Sequence, residues 1–154
     1  QGQGFINSMA FGNGGTSVDP TGIITYLTPN STGTNASLYN QTYSKVVDDR
    51  SVTNLDPQRN KIETRHVNGT NYTDVLVTCL LDYGEPNGQD AVDQASQANS
   101  LYVFDELGLV SFSPSGTGKL LTHVVFHPVQ KSLNRLVQID YTVRVQSLTG
   151  FNEG

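Results

Sequence analysis

The sequence predicts an all-β domain, an antiparallel sandwich or small barrel, on three observations. Arg135 to Ser147 alternates without a break, with Val137, Ile139, Tyr141, Val143 and Val145 on one side and Gln138, Asp140, Thr142, Arg144 and Gln146 on the other. Period-two alternation in β-branched and aromatic residues describes a strand with one face buried. Clusters of Gly, Pro, Asn, Asp and Ser punctuate the rest of the chain at short intervals, as strand connections require. Helical periodicity is almost missing: only Asp90 to Ala98 is a candidate, and its apolar content (Ala91, Val92, Ala95, Ala98) is weak. The expectation is therefore at most one short helix.

The elements follow in order. Phe5-Ile6 and Met9-Ala10-Phe11 are short apolar clusters that end at Gly12-Asn13-Gly14-Gly15, where Asn-Gly and Gly-Gly steps permit positive φ and predict a tight turn or exposed loop. Ile23 to Leu27 is a third cluster, bounded by Pro20, Gly22 and Pro29. Thr28 to Ser37 is nearly all Pro, Asn, Ser, Thr and Gly and cannot bury a face. Residues 1–35 accordingly read as an extended polar arm or a first strand, and 36–154 as the β domain.

Strand signals strengthen after residue 60. Ile62, Thr64 and His66 alternate with Lys61, Glu63 and Arg65. Tyr72 to Leu81 sets Val75, Val77, Cys79 and Leu81 against Leu76 and Leu80, a strand covered on both faces for part of its length. Leu101 to Phe104, Leu109 to Phe112 and Lys119 to Phe126 are three further expected strands, with Ser113 to Gly118 a hairpin-length loop before the last.

Composition narrows the function classes. The 154 residues suit one domain and carry a net charge of −5, with only 15% charged residues. Asn, Gln, Ser and Thr make up about a third of the chain, so the surface is polar and mostly uncharged. Nine basic residues against fourteen acidic ones do not make a phosphate track, which argues against nucleic-acid binding. No apolar run reaches about 18 residues, so no membrane partner is expected. One cysteine, Cys79, excludes an internal disulfide and a Cys-based zinc site and fits assembly in a reducing cytoplasm. The opening Gln1-Gly2-Gln3-Gly4 has no initiator Met and no signal-peptide series, consistent with a processed chain or a part of a longer one.

Each candidate for chemistry has a plainer reading that the residues favour. His123 and His127 are four apart, but four residues of strand span roughly 13 Å, too far to converge on one ion. Pro128 argues against a helix there, leaving packed or hydrogen-bonded histidines. Asp82 to Asp90 is rich in oxygen donors but lacks EF-hand spacing and reads as a solvated turn rather than a calcium loop. Gly116-Thr117-Gly118-Lys119 has Leu120 where a phosphate loop needs Ser or Thr. Asp105 and Glu106 are adjacent, so a regular strand points them to opposite faces. No G-x-S-x-G or comparable nucleophile motif occurs. Asn30, Asn35, Asn40, Asn68 and Asn71 begin Asn-x-Ser/Thr triplets, which a chain this rich in those residues produces by chance. No enzyme, no cofactor and no metal are expected.

The most distinctive local pattern is Leu101 to Leu109, in which an acid precedes Leu107-Gly108-Leu109. It suggests a strand, a glycine kink or bulge, and a second strand, with Glu106 beside the kink as an acceptor for unpaired backbone N–H groups. Gly12 to Gly15, then Glu106-Leu107-Gly108-Leu109, then Gly118-Lys119-Leu120 together resemble attachment domains of tailed-bacteriophage tail fibres and baseplates of the tail-collar type. Leu121 to Val145, with Phe126 to Lys131 between two strands, is similar to myophage structural proteins. Asn13 replaces the family's usual Asp, the polar insert at 28–37 is unusual, and no shaft follows Gly154.

The resemblance implies a virion protein of the tail, a baseplate, neck or fibre-adaptor subunit, that assembles with other virion proteins and with copies of itself. Trimers are common where fibres attach, although no residue specifies three over two or six. Phe5, Ile6, Met9 and Phe11 are then the expected anchors on a neighbour, with Gly12, Gly14, Gly15, Glu106 and Gly108 as structural turn and kink residues. A capsid decoration protein is one alternative. A carbohydrate-binding sandwich at a fibre tip is the other, resting on Tyr26, Tyr39, Tyr43, Tyr72 and Tyr83 in a chain without Trp.

Overall fold

The computed structural model describes residues 6–30, 36–66, 68–69, 71–86, 102–114, 118–132 and 134–146. These form nine strands and no helix: β1 (Ile6–Gly12), β2 (Thr16–Val18), β3 (Ile24–Tyr26), β4 (Gln41–Val46), β5 (Lys61–His66), β6 (Tyr72–Leu81), β7 (Tyr102–Ser111), β8 (Val124–Lys131) and β9 (Val137–Gln146). The helix candidate at 90–98 lies outside the described residues. One sheet has the order β4-β1-β7-β8, a second has β5-β6-β9, and β2-β3 is a separate hairpin. Every pairing is antiparallel. The chain changes sheet between β4 and β5, β6 and β7, and β8 and β9, so the fold is the all-β antiparallel architecture that the alternation predicts.

The two sheets share one core. Met9 and Phe11 from β1 meet Tyr102, Phe104, Leu107 and Leu109 from β7 and Val77, Cys79 and Leu81 from β6. Edge-to-face contacts of Phe11 with Phe104 (5.2 Å between centroids) and of Phe104 with Phe126 (5.7 Å) organise its centre. The Tyr102 and Thr42 hydroxyls, 2.8 Å apart, satisfy each other. Val137, Ile139, Tyr141 and Val143 pack on this cluster from β9, the face that the alternation assigns to the interior.

Several expectations change. The two strands expected at 101–104 and 109–112 are one strand, β7, with an irregularity inside it. The strand expected at 119–126 runs instead from Val124 through Pro128 to Lys131, and Leu120 forms only a single bridge to Val110. Residues 126–131 are thus strand and not a connection. Of the two readings of the N-terminal region, residues 6–12 are a strand, and β1 lies between β4 and β7. Met9 and Phe11 are fully buried in the domain's own core, so these two are not available as anchors on a neighbour, while Ile6 packs against that core half-buried. Phe5 lies outside the described residues.

Candidate functional site

The alternation along β7 breaks at Asp105-Glu106. Tyr102 and Phe104 face the core, and so do Leu107 and Leu109, three residues on from Phe104 rather than two. Across the strand pair, Phe104 opposes Val129 while Glu106 opposes Val125, so β8 places Phe126, His127 and Pro128 in the extra length. Proline has no N–H to donate and is tolerated at such a bulge. The bulge removes the reason for adjacent acids to point apart. Asp105 and Glu106 are both buried, and both reach the turn after β1, correcting the expectation of opposite faces.

Asp105 Oδ1 accepts the Gly15 N–H (2.8 Å), and Oδ2 accepts the Thr16 N–H (3.0 Å) and the Thr16 hydroxyl. Glu106 Oε2 accepts from Gly14 N (3.0 Å) and Asn40 N (2.8 Å), and Oε1 from Tyr39 N (2.9 Å) and His123 Nε2 (2.7 Å). A carboxylate offers about four lone-pair positions, and each faces a donor. His123 Nδ1 lies 2.8 Å from the Asn30 backbone nitrogen. That amide can only donate, so Nδ1 is the acceptor and the ring proton is on Nε2, directed at Glu106. Asp105, Glu106 and His123 thereby hold the amides of Gly14, Gly15, Asn30, Tyr39 and Asn40, which lie between strands, and that of Thr16 at the start of β2.

The glycines of this region are required for close approach and not for φ. Gly12, Gly14 and Gly15 lie outside the positive-φ region, which Gly22, Gly69 and Gly84 occupy. A Cβ on Gly12 would collide with the Asn40 carbonyl and stand 2.6 Å from Glu106 Oε2. One on Gly108 would collide with the Thr122 carbonyl. The segment is also half-buried to buried, so of the tight turn or exposed loop expected there, the exposed loop is corrected.

Both ring nitrogens of His123 are bonded and its side chain is wholly enclosed, as is that of Glu106. The pair has the orienting geometry of a His–carboxylate couple, but the second nitrogen meets a backbone amide and not a nucleophile or an opening. His127 is exposed on β8, with Nδ1 3.4 Å from the Tyr26 hydroxyl, so the two histidines do not converge. Among the described residues no three His, Cys, Asp or Glu side chains gather closely enough to hold a metal ion.

A second polar cluster closes the start of the acidic loop at 82–90, of which 82–86 is described. Buried Lys131 Nζ donates to the carbonyls of Asp82 (2.9 Å), Glu85 and Ser132 (2.7 Å). Burial pushes its ammonium below the ordinary lysine range, while Glu85 and Asp82 oppose that shift. Lys45 Nζ bridges Glu85 and the Leu80 carbonyl. Lysines therefore neutralise Glu85 and draw in the loop carbonyls that a cation would need. A groove of about 470 Å³ beside them is lined by Tyr43, Lys45, Asn54, Asp56, Arg59 and Glu85 among others. Its charges are already paired, Lys45 with Glu85 and Arg59 with Asp56 and Asp82.

The exposed surface is apolar in places. The β2–β3 hairpin presents Val18 (61% exposed) and Ile23 (62%), its turn fixed by Asp19, which accepts from the Thr21 and Ile23 amides. The Thr21 hydroxyl on its carboxylate holds Asp19 below the ordinary carboxylate range. Of the tyrosines proposed for sugar contact, Tyr26, Tyr39 and Tyr83 are exposed, whereas Tyr43 packs on Phe11 and Tyr72 lies under Arg144. Sequence reasoning missed Asp105 and His123 as partners of the 14–40 loops. The one local signal was the three-residue spacing from Phe104 to Leu107. Comparison with protein-family models, curated proteins and solved structures finds no match to this chain.

Proposed function

We propose that this chain is a structural subunit of a tailed-bacteriophage tail, at the baseplate, neck or fibre attachment, that works by assembling with neighbouring subunits. The observation that carries the reading is that two of the glycine-based stretches behind the resemblance meet: Gly14 donates to Glu106, and Gly108 packs on Thr122, next to His123. The third packs through Gly118 on the Ser111 carbonyl, at the far end of β7. Stretches 92 residues apart thus build one frame around Glu106 and His123. The buried ionisable groups of that frame hold loops. What the frame presents outward is strand edges, an apolar hairpin tip and a weakly charged surface, features suited to lasting contact with other proteins.

Mass spectrometry of purified particles of the encoding phage, separated into tails and heads, tests this. Peptides of the chain in the tail fraction, in near-constant ratio to other tail proteins, are the expected result. Their confinement to heads would transfer the chain to the capsid-decoration alternative, and absence from particles would overturn the reading.

A further inference from the structure

We infer that the outer edge of β9 is a homodimer interface, in which two copies pair antiparallel about a two-fold axis at Thr142 and join their three-stranded sheets into one of six strands. The inference rests on the assembly reading above and supplies a specific surface and symmetry for it.

Four strands end the two sheets, and they differ in how well they are guarded. β4 and β5 have six residues each, and β5 places Lys61, Glu63 and Arg65 at alternate positions, a pattern that discourages edge pairing. β8 contains Pro128 and the length irregularity opposite Asp105, and the β2–β3 hairpin reaches it through Tyr26 and His127. β9 has ten residues, no proline and two charges, and its whole length is regular where it pairs with β6. No described residue pairs with its other edge.

The charges then select a register. For two copies to keep their cores on the same side of a joined sheet, opposed residues must come from the same face, so the axis passes through a residue. An axis at Asp140 or at Arg144 sets like charges against each other. An axis at Thr142 sets Asp140 opposite Arg144 of the second copy, twice by symmetry, and Gln138 opposite Gln146. On the core face the same register puts Ile139 against Val145 and Tyr141 against Val143, so apolar meets apolar. It also gives Val145, 55% exposed in the single chain, an apolar neighbour. Asp74 engages Arg144 through Nε and one Nη. The guanidinium's other Nη carries no bond to a described residue.

Thiol crosslinking of the full chain reads the register. Thr142→Cys places two cysteines side by side at the axis, whereas Gln138→Cys separates its pair by eight residues of strand, roughly 27 Å. With a short bifunctional maleimide, T142C is expected to give a covalent dimer and Q138C at least tenfold less. Asp140→Lys, which opposes Lys to Arg144, is expected to reduce crosslinking of T142C at least tenfold while leaving unchanged the thermal midpoint measured at a dilution where the chain is a single copy. Equal crosslinking of T142C and Q138C, or none of T142C, overturns the inference. Self-association that survives D140K without crosslinking at 142 overturns it too, while leaving the assembly reading standing on another surface.

Discussion

His123 Nε2 donates to Glu106 Oε1 across 2.7 Å, with both side chains sealed from solvent. The contact ties β7 to the segment leading into β8, and through the other atoms of the two side chains it reaches Gly14, Asn30, Tyr39 and Asn40. A histidine and an acid in contact invite a catalytic reading. Here the remaining hydrogen-bonding positions of both groups face backbone amides, which makes the pair a fastening between loops.

Glu106→Gln tests that fastening. The amide replaces one acceptor with a donor facing N–H groups, so donors confront each other in a buried site. The expected loss is about 3 kcal/mol of unfolding free energy. Glu63→Gln, at an exposed ion pair with Lys61 on β5, should change stability by no more than about 0.5 kcal/mol. Urea titration of both variants checks this, and a loss for E106Q as small as that for E63Q would contradict it.

Amide exchange tests the division of labour. The amides of Gly14, Gly15, Thr16, Asn30, Tyr39 and Asn40 should exchange slowly, because each is bonded to a carboxylate or ring that is itself buried. His123→Ala removes the acceptor of Asn30 alone. Its amide should then exchange at least tenfold faster, with Gly15 and Thr16, held by Asp105, unchanged. Uniform loss across all six would show one global opening instead.

How much of this was legible in the sequence depended on whether one strand face met water. β5 and β9 do so, β6 is half-buried over its first half, and the alternation of all three located them within one or two residues. β4 did not announce itself: Gln41-Thr42-Tyr43-Ser44-Lys45-Val46 has little apolar contrast, and its pairing with β1 places it. β1 was ambiguous because its buried run, Ser8 to Gly12, includes both faces and so loses the period-two signal. Asp105 and Glu106 were misread because adjacency implies opposite faces only without a bulge. Their backbone donors, 66 to 92 residues away for Glu106, leave no local mark.

Alkaline pH should destabilise the domain through Cys79 and Tyr43. Burial pushes the Cys79 thiol up to about 12 from 9.0, and burial with Glu85 nearby pushes the Tyr43 phenol up to about 12 from 10.0. Both groups lose protons in the unfolded chain first, so their contribution is complete below about pH 9 and is lost as pH climbs to about 12. Urea midpoints measured from pH 8 to 11 should fall steadily above 9. Native Cys79 should resist iodoacetamide at pH 8.5 and react once the chain is unfolded. Rapid native labelling or a flat midpoint would contradict the burial argument.

On this reading the chain acts through association with other subunits, beginning with its own copies. Sedimentation equilibrium of the full chain from about 1 to 100 µM tests that. The expected result is a mass that rises from one copy to two, and that Asp140→Lys holds at one copy while the urea midpoint of the single copy stays unchanged. A single-copy mass across the whole range for the unaltered chain would contradict it.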